Sequence, residues 1–370
     1  MKTRAAVSYQ PGEPLVIEEL EMDEPKAGEV LVKVKAVGLC HSDYHVMAGN
    51  RPVGMRPMVL GHEGAGIVEK VGAGVTRFKT GDHVVLMFIP SCGKCQYGVS
   101  GMTHACVWVI NISKGPQLDG TFRLRNKKGQ DVGQFCLLGA FSEYVIANEN
   151  SLCAIDTSYS FESACLVGCG VTGGYGAAVN RAKVTPGSSV LVIGVGGLGM
   201  NIVQGARLCG AAKIIAVDVV TKKLEWARSF GATHTIDAGK EDVVTRVMEM
   251  TNGVGVHFAF EAISDPKTIA QAFAATAKTG SIIVCGLTPS TVDSLPISPL
   301  QLVLMQKTLM GTIYGSSNAQ VEIPKILSMY KGGQIKLDEL VTRTYALDQI
   351  NDGYADMNAG LNIRGVVRFD

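Results

Sequence analysis

The amino-acid sequence predicts an α/β protein in two parts, a partly open β-barrel and a doubly wound parallel sheet. Residues 1 to about 150 carry short β-like runs, Val30–Val37, Gly66–Val71 and His83–Phe88, each bounded by glycine or proline turn signals. From about Pro186 the texture changes. Apolar runs (Val190–Ile193, Ile214–Val217, Ile282–Cys285) alternate with helix-like segments (Leu198–Leu208, Lys222–Ser229, Thr268–Lys278), as in a parallel sheet covered by helices. The first of these runs also leads straight into a glycine-rich turn. A chain of 370 residues exceeds what one core usually serves, so two domains are expected.

The remaining segments are less patterned. Ser113–Gly133 is polar with little periodicity and is expected to be a long surface loop. After Tyr314 one helix-like stretch, Ile323–Lys331, precedes short β runs to the end, and no internal repeat is visible. The formal charge of +1 argues against nucleic acid as a partner. The N-terminal residues lack the apolar core of a signal peptide, and the apolar stretches are broken by glycine well short of a membrane span. A cytoplasmic protein without membrane contact is therefore expected. Ten cysteines are too sparse for a disulfide scaffold, and in a reducing compartment clustered cysteines suggest metal ligands.

Ser189–Ile193 runs into Gly194-Val-Gly196-Gly197-Leu198-Gly199, and a helix-like segment follows. In such a turn Gly194 permits the tight bend, Gly196 lets backbone approach a pyrophosphate, and Gly199 allows close helix–strand packing. The helix N-terminus then offers free N–H groups to the phosphates. The next strand ends in Asp218, 24 residues after Gly194, where a carboxylate grips the adenosine ribose hydroxyls. That charge repels a 2′-phosphate and favours NAD over NADP. Lys222 and Lys223 soften the preference.

Cys40-His41-Ser42-Asp43-Tyr44-His45 follows a β run, Gly61-His62-Glu63 comes about twenty residues later, and Gly168-Cys169-Gly170 precedes the nucleotide-binding half. Two thiolates and an imidazole from separate loops suit a tetrahedral zinc with one open position, as in catalytic sites. Singly, a buried cysteine is more often a small hydrophobe and a lone histidine a satisfied core or surface residue.

These segments, with Cys92-Gly-Lys-Cys95 between them and Asn362-Ile363-Arg364-Gly365 near the end, resemble the zinc-containing medium-chain alcohol dehydrogenases in order and spacing. The resemblance runs essentially end to end and includes Gln117–Arg123, a loop of the longer, liver-type members. The Gly194–Gly199 turn and Leu337–Tyr345 most resemble the actinobacterial nicotinoprotein branch, whose members keep NAD bound and pass electrons to another acceptor. The resemblance implies a GroES-like catalytic domain, residues 1–170 and 314–370, around a Rossmann domain, 171–313, with the active site in the cleft between them. It implies a zinc held by Cys40, His62 and Cys169 that lowers the pKa of a small alcohol. Ser42 would take the alcohol proton and pass it through the nicotinamide ribose to His45. Asp43 would orient His62, and Glu63 would approach the metal during ligand exchange. Arg364 and His41 would face the pyrophosphate, Lys223 the adenosine ribose and Leu198 the nicotinamide. Phe88, Phe135 and Leu287 would line an apolar substrate pocket. A homodimer and a redox partner that re-oxidises bound NADH are further implications.

The pattern breaks in one lobe. Relatives hold a structural zinc with four cysteines there; this chain has Cys92, Cys95 and Cys106, with Gly98 at the third family position. Three thiolates leave a closed site one ligand short, with His104 or water as the candidate replacement. Val107–Asn111 lacks the arginine of the glutathione-dependent formaldehyde dehydrogenases, which disfavours that substrate. Two other functions compete. A zinc-free quinone or enone reductase of the same fold would not need Cys40, His62, Cys169 and Asp218 together. A non-catalytic dinucleotide-binding protein would not need the Ser42–His45 relay.

Overall fold

The computed structural model describes all 370 residues, and the chain divides into two units, residues 1–169 with 318–370, and residues 170–317. No helix is long and apolar enough to cross a membrane.

In the first unit, five strands close into a barrel: Lys2–Ser8, Val16–Met22, Leu124–Arg125, Asp131–Gln134 and Met58–Val59. The closure is more complete than the open barrel expected. A seven-stranded sheet lies in the same unit, with Glu29–Gly38 at its centre. That strand pairs with Gly64–Val71, Tyr144–Asn148 and the C-terminal strand Arg364–Arg368, so the end of the chain belongs to the same sheet as its beginning. Being flanked throughout explains its near-continuous valine run, in which Val30, Val32, Val34 and Val37 are all fully buried. Leu20, Leu60, Leu86, Phe135 and Phe141 fill the same core.

Ser113–Gly133 is not a surface loop, and this corrects the expectation. Two of the barrel strands begin in it, and Arg123 is fully buried within it. The Arg123 guanidinium donates to both carboxylate oxygens of Glu29, at 2.9 and 2.7 Å, and to Asp119 at 2.9 Å. Polar composition concealed the buried Arg123 because its charge is satisfied by Glu29 and Asp119.

The second unit holds six parallel strands in the order His234–Asp237, Lys213–Asp218, Ser189–Ile193, Val256–Glu261, Thr276–Val284 and Thr308–Gly311. Val190–Ile193 is buried on both faces, as a central parallel strand under helices must be. Helix ends follow local chemistry: Asp242 accepts from the Thr245 amide at 2.8 Å, and Asp265 accepts from Lys267 at 2.8 Å ahead of Pro266. Thr276–Lys278, expected in a helix, instead opens the strand Thr276–Val284, and the preceding helix ends at Ala275. The β-branched Thr276 has its hydroxyl bonded to the Ala272 carbonyl at 2.7 Å, closing the last turn.

Candidate metal centre and nucleotide site

Cys40 is the N-cap of the short helix His41–Met47, directly after the central strand. The helix turns Ser42 and His45 to one side, three positions apart, and buries Asp43 on another. Asp43 is fully buried. One oxygen accepts the Gly61 amide at 2.8 Å and the other lies 3.0 Å from His62 Nδ1. The pair fixes the imidazole through Nδ1, with the Cys40 thiol as its other hydrogen-bond partner. Ligand atoms of Cys40, His62, Glu63 and Cys169 all lie within 4.8 Å of one another.

The hydrogen bond from Cys169 holds the Cys40 thiol well below its usual pKa, and the same bond together with burial raises Cys169 well above it. Burial opposes charge on His62, but Asp43 and Cys40 outweigh it and raise its pKa. Burial lifts Glu63 to about 7 against the pull of Arg364. Two thiols, an imidazole oriented from behind and a nearby carboxylate fit a zinc ion, which takes S and N ligands tetrahedrally.

Two of the expected pocket residues stand beside this cluster. Phe88 and Phe135 meet the His62 ring edge-on at 5.5 and 5.8 Å. Leu287 belongs to the other unit and is half exposed. Arg364 is nearly buried; it pairs with Glu63 and donates to the Leu39 carbonyl at 2.9 Å. His41 is exposed. His45 Nδ1 is buried without a hydrogen-bond partner, and burial lowers its pKa. Arg51 lies over the Phe135 ring at 5.7 Å, and no sequence motif marks it.

In the lobe, Cys92, Cys95 and Cys106 also bring their sulfurs within 4.8 Å of one another, and His104 is not in the group. Backbone amides point at the sulfurs: Cys92 donates to Cys106 Sγ at 3.2 Å, Cys95 to Cys92 Sγ at 3.3 Å and Gly98 to Cys95 Sγ at 3.3 Å. Gly98 thus serves the cluster through its N–H while lacking a ligand.

In the second unit, Gly194 has φ +87°, and a Cβ there would fall 2.5 Å from Ile263 Cγ1. A Cβ at Gly199 would enter the Gly194 carbonyl, whereas Gly196 faces open space. Gly197 begins the helix Gly197–Leu208, with Leu198 partly exposed in its first turn. Asp218 accepts the Val195 amide at 3.1 Å through one oxygen and the Val220 amide at 3.0 Å through the other. Each oxygen keeps a lone pair for a further donor. Lys223 is half-buried in the following helix. The cradle fits a dinucleotide pyrophosphate at a helix N-terminus.

A soft-donor metal cluster and a dinucleotide sheet on one chain define a metal-dependent oxidoreductase. The family profile "Alcohol dehydrogenase GroES-like domain" matches residues 26–157 and "Zinc-binding dehydrogenase" matches residues 197–331. The chain is 43% identical to an NDMA-dependent alcohol dehydrogenase of Amycolatopsis methanolica, over 99% of each chain. It is 42% identical to alcohol dehydrogenase B of Mycobacterium tuberculosis, over 100% of this chain and 99% of that one. The crystal structure of benzyl alcohol dehydrogenase from Acinetobacter calcoaceticus superposes with a TM-score of 0.94 at 34% identity, covering both chains completely. The chain belongs to the zinc-containing medium-chain alcohol dehydrogenases, in their actinobacterial branch, and is a zinc-dependent enzyme of that kind.

Proposed function

We propose that the chain oxidises a small alcohol with NAD, and that Cys40, His62 and Cys169 hold the catalytic zinc. The observation that carries this is the convergence of those three side chains with Asp43 behind His62. Bound zinc supplies a Lewis acid that acidifies the alcohol, and NAD supplies the hydride acceptor. Asp43 keeps the imidazole in one tautomer. Ser42 receives the alcohol proton, and His45, with its unpartnered Nδ1 and lowered pKa, hands it to solvent as a neutral base. Phe88 and Phe135 keep water from the alcohol carbon. Glu63 stands between the cluster and Arg364 and would offer the metal a further carboxylate ligand, while Arg364 would offer its guanidinium to a cofactor phosphate. His41, exposed at the start of its helix, would offer a ring N–H to the same phosphates, and Leu287 an apolar wall. Leu198 backs the nicotinamide and Lys223 the adenosine ribose. The deciding experiment is to denature the purified protein and identify the released nucleotide and metal. Release of zinc with NAD supports the proposal; NADPH without zinc would point to a quinone reductase.

Asp218→Asn keeps one of the two acceptor oxygens that hold Val195 and Val220, gives up the other and loses the charge. One charge near a protein surface is worth ~1–4 kcal/mol. The ratio of kcat/KM for NADP to that for NAD should therefore rise at least about fivefold. A wild type that already prefers NADP contradicts the ribose reading.

The Amycolatopsis relative is named as NDMA-dependent, and a dependence on a further compound besides the alcohol supports retention of NAD here and a redox partner that re-oxidises it. Homodimerisation is supported by Leu300, Val303 and Leu304, all about two-thirds exposed and close in sequence to the edge strand Thr308–Gly311. Ten free cysteines support a cytoplasmic location.

Cys92, Cys95 and Cys106 would hold a second, weaker zinc, and of the two candidates for the fourth ligand water is favoured over His104, which is outside the group of sulfurs. Mild chelation is expected to strip this zinc first, leaving about one per chain. A Cβ at Gly98 would lie 3.3 Å from the Gly93 backbone, a contact that a small shift relieves. Gly98→Cys should thus raise zinc content toward about two per chain and raise Tm. Two equally chelation-resistant zincs in the unaltered protein would refute the three-thiolate site.

A further inference from the structure

Glu261 ends the strand Val256–Glu261 in the nucleotide-binding unit and is fully buried, yet it takes no part in metal binding or proton relay. One of its carboxylate oxygens accepts three hydrogen bonds, from the Ile263 amide at 2.9 Å, the Ser264 amide at 2.8 Å and the Thr268 hydroxyl at 2.8 Å. The other oxygen is buried with no partner. The Glu261 backbone carbonyl accepts the amides of Cys285 at 2.9 Å and Gly286 at 3.2 Å. This single residue therefore gathers two segments, the turn 262–264 and the exit of the strand Thr276–Val284.

The two segments are in close contact. A Cβ on Gly286 would fall 2.5 Å from the Ser264 amide nitrogen, and Ile263 leaves no room for a Cβ on Gly194. Ser264 has φ +89°, a left-handed conformation held in place by the bond from its amide to Glu261. The turn is thus wedged between the first glycine of the phosphate-binding bend and the loop after the next strand.

Its place in the sheet indicates what it serves. Asp218 lies on one side of the first strand, Ser189–Ile193, and Glu261 and Cys285 follow on the other side. A dinucleotide spans the point where strand order reverses, with its two halves over opposite sides. With adenosine at Asp218, the nicotinamide half lies on the side of Glu261.

We propose that Glu261 is a positioning residue for the nicotinamide half of the cofactor, acting through the turn 262–264 and the Cys285–Gly286 segment. This rests on the dinucleotide reading above. The test is equilibrium binding of NAD and of AMP, which lacks the nicotinamide half, to the full-length zinc-loaded protein after any retained nucleotide has been removed. In Glu261→Ala, NAD binding should weaken about tenfold, or ~1.4 kcal/mol, while AMP binding stays within about twofold. Glu261→Gln retains the acceptor and should restore NAD binding. Should Glu261→Ala fail to fold, Thr268→Val removes one of the three bonds and should weaken NAD binding about threefold with AMP unaffected. Equal weakening of both nucleotides, or unchanged NAD binding, overturns the proposal. A wild type that binds neither nucleotide instead defeats the dinucleotide reading itself.

Discussion

His62→Ala and Cys169→Ser are each expected to lower kcat/KM for alcohol by at least about 10³-fold. A metal Lewis acid stabilises transition-state charge by several kcal/mol, and each 1.36 kcal/mol is one decade in rate. Either substitution removes a ligand from a cluster whose donors stand within 4.8 Å of one another. Zinc content, measured alongside activity, should fall with it. Asp43→Asn tests the support behind the ligand. Its neutral amide still meets the Gly61 amide but loses the ion pair with His62, so affinity or activity should drop about 10–100-fold. Full alcohol oxidation in a metal-free variant would refute the zinc assignment.

Glu29→Gln is expected to destabilise the first unit by ~3–5 kcal/mol while leaving the metal cluster chemically intact. Arg123 is fully buried, and Glu29 contributes both oxygens to it; Asp119 alone cannot compensate because it is partly exposed and offers one bond. Breaking one partner of a buried ion pair leaves the other charge uncompensated. Arg123→Met with Glu29→Gln together should recover part of the loss, since no buried charge is then orphaned between them. Denaturant unfolding of the variants measures this. A midpoint equal to that of wild type for Glu29→Gln would show that the pair contributes nothing net.

Legibility in the sequence followed the range of the interaction. The phosphate-binding turn was readable because each of its determinants is local: a strand, glycines at fixed offsets, a helix start and an acid at the next strand end. The Cys40 and His62 segments were readable as metal ligands from residue type and context. Their grouping with Cys169 and Glu63 depends on the sheet that brings separate loops together. Glu261 was missed although Phe260-Glu261 repeats the apolar-run-then-acid pattern of Val217-Asp218. No rule of spacing marks an acid whose partners are a turn and the next strand's exit.

By itself the sequence determined the α/β class, the dinucleotide turn and the chemistry of the metal donors, because turn geometry, hydrophobic period and ligand type are local properties of the chain. Tertiary structure alone decided that Ser113–Gly133 is built into a closed barrel around buried Arg123, and that Thr276–Lys278 is strand. It also decided that Arg364 is held by Glu63 and that His104 stands apart from the three lobe sulfurs. Whether a polar residue is buried, and with which partner, depends on surfaces that meet only when distant segments pack, and burial makes each unmatched polar group costly enough to select one pairing.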